Sequence, residues 1–257
     1  MKIGIVGMGH VGKTTKNLLS KLTSEFVTFD LASDRSYPSA ELEECEFCVI
    51  CIGTENRDSD NAHFENILSA VARIPVAHIV IRSTVRPGTI EKIMHLTGKR
   101  IVHWPEFVGE TDFPGATWHA DESDVPFAII GGTAADREWV LDKLSVALGP
   151  HVTLFQCSAR ESELIKYIEN AFLATKLAFV SELYSMVHAI GGVDWHTVRE
   201  GWLLDPRVGR SHSAVLAGNI GYGGRCLPKD VRAINRLADD LGLDLALLRA
   251  VMGYARD

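Results

Sequence analysis

Seven short apolar runs punctuate the first part of the chain: KIGIVG, FVTFD, FCVICIG, HIVIRST, RIVHW, FAIIGG and VTLFQ. Each is five to seven residues long, and their near-continuous hydrophobicity is that of strands covered on both faces. Most of the intervening segments have helical length and apolar positions three and four apart. Strands alternating with helices predict an α/β architecture, a doubly wound, mostly parallel sheet, over residues 1–156. Beyond FQCSARES the pattern changes. Residues 161–190 run without glycine or proline and carry apolar side chains nearly all round, which predicts one long buried helix packed against a second subunit. That helix would centre a helical domain over residues 157–257. The longest irregular stretch is GETDFPGATWHADESDVP, residues 109–126.

With 46% hydrophobic residues, a chain of 257 buries a sizeable core. No basic stretch leads an apolar run at the amino end, and no apolar segment has the length of a bilayer span, so a cytoplasmic protein is expected. The net charge of −7 and the scatter of the basic residues argue against nucleic-acid and membrane partners. Small anions held by local sites remain. Five cysteines, an odd number, point to reduced thiols. Cys45, Cys48 and Cys51 have the spacing of an iron–sulfur run, but no fourth cysteine follows at a suitable distance. Their place in an apolar strand predicts buried structural thiols on alternating faces. The ten histidines show no metal-ligand spacing, and no metal is expected.

GIVGMGHVGKTT parses in two ways. Gly7, Gly9 and Gly12 form G-x-G-x-x-G between a strand and a helix, the pattern of a dinucleotide site, and Gly7 to Thr14 also fit G-x-x-x-x-G-K-T, a triphosphate loop. The first parse needs an acid at the end of the second strand, and Asp30 stands there, placed to bind the ribose hydroxyls of NAD and to disfavour a 2′-phosphate. The second would have Lys13 on the phosphates and Thr14 on magnesium, and it needs a later strand ending in a metal-binding acid.

Three further places carry chemistry. In GYGGRCLPKD, Pro228 marks a first helical turn, which sets Cys226 beside a helix N-terminus, where a thiolate is favoured. Asp230 follows within a turn. Lys166 and Asn170 stand four apart on the long helix, a pair of donors for a developing oxyanion. Thr84, Glu106 and Glu110 follow the fourth and fifth runs, at carboxyl ends of strands where ligands bind in parallel sheets.

The ordered motifs GMGHVG, STVRPGT, PEFVGE, ELIKYIENAFLATK, DPRVG and GYGGRCLPKD resemble the UDP-glucose/GDP-mannose dehydrogenase family along essentially the whole chain. The resemblance implies a Rossmann-type NAD-binding domain and a homodimer through the helix at 161–190. It also implies a four-electron oxidation of a nucleotide sugar, a C6 alcohol becoming a carboxylate through a thiohemiacetal and thioester on Cys226. By the same resemblance Lys166 and Asn170 stabilise the oxyanion, Asp230 positions water, Glu106 is the hydrolytic base and Thr84 assists. Glu110, Tyr222, Gly223 and Lys229 would contact substrate, and Arg207 would reach a neighbouring subunit's substrate. Gly7, Gly9, His10, Val11, Gly12, Asp30, Gly53, Thr54 and Thr84 would line the cofactor. Family members usually continue into a third, nucleotide-holding α/β domain, for which these residues have no counterpart. A single-step β-hydroxyacid dehydrogenase with Lys166 as base, and a non-catalytic binding protein, remain open on the same residues.

Overall fold

The computed structural model describes residues 1–33, 36–53, 60–109, 119, 121–216 and 219–256. Seven strands form one sheet: β1 (Ile3–Val6), β2 (Phe26–Phe29), β3 (Phe47–Ile50), β4 (His78–Ile81), β5 (Arg100–His103), β6 (Phe127–Gly131) and β7 (Thr153–Cys157). Nine helices are described: α1 (His10–Leu19), α2 (Ser39–Glu43), α3 (Asp60–Arg73), α4 (Thr89–Thr97), α5 (Ala134–Leu148), α6 (Ala159–Ile190), α7 (Trp195–Trp202), α8 (Cys226–Asp240) and α9 (Ala246–Met252).

The strand order is β2-β1-β3-β4-β5-β6-β7. Helices or turns cross between β1 and β5, and all five strands run parallel. β6 turns back against β5, with His103 opposite Gly131, and β7 runs parallel to β6. The reversal falls across the stretch that the sequence marks as its longest without a helical or strand pattern; antiparallel neighbours need no crossover. Strand order reverses between β1 and β3, and the crevice at their carboxyl ends is the place where doubly wound sheets bind ligands.

Both faces are covered at β1 and from β3 to β6, which is why those strands read as unbroken apolar runs; the edge strand β7 is exposed from Thr153 to Gln156. Along β3, Cys48 and Ile50 join the core formed with α3 and α4, and Phe47 and Val49 join the opposite core with α1 and α5. Cys48 and Cys51 therefore face opposite sides of the sheet, whereas Cys45, which precedes β3, lies in the same core as Cys48 and does not alternate with it; burial pushes the Cys51 thiol up to about 12. Among the described residues no cluster of three or more metal-ligating side chains exists, and no helix is long and apolar enough to cross a membrane.

The described residues up to Lys166 form one compact unit and those from Tyr167 a second, so the division falls inside α6. The second unit has its own core, in which Ala174 and Ala178 of α6 meet Tyr222, Val231 of α8 and Val251 of α9.

Candidate functional site

Only Gly7, Met8 and Gly9 separate β1 from α1. Gly7 has φ +96°, and a Cβ there would lie 2.6 Å from the Cys51 carbonyl group. A Cβ on Gly12 would lie 2.0 Å from the Gly7 oxygen, so neither position admits a side chain. Gly9 faces open space, with no heavy atom within 4 Å of its would-be Cβ, where a ligand can approach the backbone. The helix starts three residues ahead of Lys13, too soon to leave a loop able to wrap a triphosphate. Thr14 is buried, and its hydroxyl donates back to the carbonyls of His10 and Val11 at 3.3 and 3.1 Å. The loop fits a dinucleotide diphosphate laid on the first turn of α1, which carries no acid to repel it.

Asp30 follows β2 at the same edge. Its Oδ1 accepts from the Ala32 amide at 2.9 Å and its Oδ2 from the Met8 amide at 2.6 Å. Those two amides, with the Lys13 charge as a smaller contribution, hold the carboxyl below its usual range and keep it anionic, as a ribose-binding acid must be. Gly53, after β3, is also open, while His10 and Val11 begin α1. The His10 Nε2 is buried without a partner among the described residues. Thr54 and Glu110 lie outside the described residues.

Past β4 and β5 the polar groups go under cover. The Arg82 guanidinium is fully buried, 2.7 Å from the Glu122 carboxylate and 3.9 Å from the Trp104 ring centroid. Thr84 is partly buried, and the preceding Ser83 hydroxyl donates to the Ile52 carbonyl at 2.7 Å, tying the ends of β3 and β4 together. Glu106 is buried, with Oε1 accepting from the Val108 amide. Lys166 is buried too, its Nζ 4.6 Å from the Phe107 ring centroid.

The first turns of α6 fix that lysine. The Ser162 hydroxyl and His103 Nδ1 lie 2.7 Å apart, and the other ring nitrogen is 3.4 Å from the Ser83 carbonyl oxygen. Burial, with the Arg82 and Lys166 charges adding to it, pushes His103 down to about 3, so the ring stays neutral. Glu163 accepts from the Gly88 and Ile90 amides at 2.6 and 2.8 Å, bridging α6 to the start of α4. Burial outweighs those two donors and lifts its carboxyl to about 8.

In the second unit α8 begins at Cys226, with Pro228 at its third position, where a missing amide hydrogen costs nothing. The thiol is partly exposed at the helix N-terminus. Asp230 is fully buried; its Oδ2 accepts from Asn170 Nδ2 at 2.5 Å and its Oδ1 from Lys229 Nζ at 2.6 Å. Residues sixty apart in the chain thus share one hydrogen bond. Arg207 is exposed and pairs with Asp205 at 2.5 Å. Lys176 holds its loop by donating to the Val208 and Gly209 carbonyls at 3.4 and 3.2 Å. The Tyr222 ring lies in the core with its hydroxyl on the Val251 carbonyl at 3.1 Å, which leaves its backbone as the part able to meet a ligand.

A family model for the central domain of the UDP-glucose/GDP-mannose dehydrogenases matches residues 160–255, the stretch that joins Asn170 to Asp230. The UDP-glucose 6-dehydrogenase YwqF of Bacillus subtilis is 31% identical over 98% of this chain and 65% of its own. This chain belongs to the UDP-glucose/GDP-mannose dehydrogenase family. The UDP-glucose 6-dehydrogenase of Pseudomonas aeruginosa is 34% identical over 82% of this chain and 48% of its own. The chain thus spans between about half and two thirds of the length of these relatives. In fold it resembles the UDP-glucose dehydrogenase of Pyrobaculum islandicum, with TM-score 0.81 and 24% identity over 98% of this chain and 67% of that one.

Of the residues that the family motifs single out for chemistry, Thr84, Glu106 and Lys166 belong to the first unit, and Asn170, Cys226 and Asp230 to the second. Sequence reasoning missed Arg82, His103 and Glu163. A histidine inside an apolar strand, and a glutamate one turn before Lys166, were the available signals.

Proposed function

We propose that this chain is the cofactor-holding and catalytic portion of an NAD-dependent nucleotide-sugar dehydrogenase, converting the C6 alcohol of a UDP-hexose to the carboxylate. The glycine loop, with His10 and Val11, holds the cofactor diphosphate, Asp30 holds its ribose, and Gly53, Thr54 and Thr84 line the rest. NAD supplies hydride acceptance, once for each of two oxidations. Between them, the Cys226 thiol adds across the aldehyde carbon and its proton passes to the aldehyde oxygen, giving a thiohemiacetal. The second oxidation leaves a thioester. Water then cleaves the C–S bond, giving the acid and the free thiol. Lys166 and Asn170 donate to the oxygen where negative charge develops. Asp230 positions the water, Glu106 takes its proton, and Thr84 and Glu110 assist. The Tyr222–Gly223 backbone and Lys229 hold the substrate.

The observation that carries this reading is the buried Asn170–Asp230 hydrogen bond, which joins two motifs that the proposed chemistry requires together. We also propose a homodimer through α6. Ile168, Phe172, Phe179, Met186 and Ile190 are all exposed along one side of that helix, Phe172 to 61%. Such an apolar stripe calls for a cover, and a second copy presents the same stripe to it. Arg207 would then serve the second copy's substrate. The chain incubated with UDP-glucose and NAD should release two NADH per sugar, read by absorbance. No NADH with any nucleotide sugar, or one NADH per sugar with the aldehyde as final product, refutes the proposal.

A further inference from the structure

The residues after α9 close on the glycine loop that precedes Cys226. The Tyr222 amide donates to the Tyr254 carbonyl at 3.0 Å and the Arg256 amide to the Tyr222 carbonyl at 2.7 Å, a parallel bridge between Tyr222 and Ala255. Gly221, at φ +86°, makes the approach feasible, since a Cβ there would lie 2.1 Å from the Tyr254 oxygen. The buried Tyr222 ring locks the same register. That register lays the Arg256 guanidinium over Gly223, where a Cβ would find Nη2 at 3.5 Å and Cζ at 3.7 Å.

Arg256 is exposed and has no carboxylate within ion-pair distance among the described residues. Arg249, by contrast, one turn of α9 away from the same segment, is held by both Asp239 and Asp244. Residues 221–232 carry three cations, Arg225, Lys229 and Arg232, and one carboxylate, that of Asp230, which pairs with Lys229, in a chain whose net charge is −7. The first turn of α8 adds its partial positive charge at Cys226. A concentration of cations on an acidic chain is the electrostatic mark of a small anion.

We infer that Arg256 is a substrate contact, its guanidinium binding the diphosphate of the nucleotide sugar while the sugar lies on the Gly223–Gly224 backbone. The inference rests on the nucleotide-sugar reading. A planar fork of N–H donors matches phosphate oxygens in pairs, and an ammonium group does not reproduce that match. The hexose and the nucleoside carry no charge, so the contact should register the diphosphate alone.

Titration calorimetry on the full chain tests it, with uridine, UDP, UDP-glucose and UDP-glucuronate as probes for the wild type, Arg256→Ala and Arg256→Lys. Arg256→Ala should weaken UDP and UDP-glucose by about tenfold or more, Arg256→Lys by less, and uridine should bind all three alike. The wild-type affinity for UDP should fall more steeply with salt than that of Arg256→Ala, and the KM for UDP-glucose should rise in that variant with kcat nearly kept. Thermal unfolding of the variants, at an exposed site, should match the wild type. Undiminished UDP-glucose binding by Arg256→Ala overturns the inference, as does a loss confined to UDP-glucuronate, which would assign the arginine to the product carboxylate. A wild-type chain that binds no uridine nucleotide ends the nucleotide-sugar reading along with it, and the wild-type titration alone reveals that case.

Discussion

Replacing Glu163 by Gln should flatten the pH dependence of stability. In the folded chain this carboxyl keeps its proton up to about pH 8, whereas in the unfolded chain it ionises near 4.5. Below about pH 4.5 both states are protonated and the group's contribution is fully present. Between about 4.5 and 8 the unfolded state releases the proton and the folded state holds it, so stability falls as pH rises; above about 8 both are ionised and the loss is complete. The whole interval corresponds to roughly 5 kcal/mol, at about 1.4 kcal/mol per pH unit. Glutamine keeps an oxygen for the Gly88 or Ile90 amide and removes the titration. Urea unfolding from about pH 5 to 8.5 should therefore show the variant gaining several kcal/mol on the wild type as pH rises. A wild-type-minus-variant difference that stays level across that range refutes the reasoning.

Asp230→Ala removes the acceptor of both Asn170 and Lys229 in a buried place; it should cost about 1–3 kcal/mol in urea unfolding and lower NADH production by roughly a hundredfold or more. Equal turnover by variant and wild type would remove Asp230 from the chemistry. Phe172→Asp, with the residue 61% exposed on the apolar stripe of α6, should shift sedimentation from dimer to monomer while the monomer's helical content is retained. A wild type that sediments as a monomer at micromolar concentration would retire the dimer.

The inner strands were legible because a sheet covered on both faces needs apolar residues on both sides; β7 was legible from its apolar letters although it lies exposed at the edge. The glycine loop was ambiguous as letters, and three dimensions separated the parses through the start of α1 at His10, which no composition rule supplies. The reversal at β6 was invisible, since an apolar run has no arrow. Arg82, His103 and Glu163 escaped for a related reason: each is a polar residue whose partners, Glu122, Ser162, Gly88 and Ile90, lie forty to seventy-five positions away, and pattern reading sees only neighbours. Cys226, Asp230 and Asn170 were singled out because motifs named them. The Tyr222 side chain, drawn into the core beside Ala174 and Ala178, shows the limit of that method, since a motif letter does not say whether ring or backbone matters.

The unbroken course of α6 from Ala159 to Ile190 places Asn170 by residue count. Asn170 and the core residue Ala174 keep their relation by counting residues, where a loop would keep it by shape. One residue inserted between them would swing Asn170 through about 100° and carry its amide off Asp230. Such a segment accepts change of side chain but not change of length.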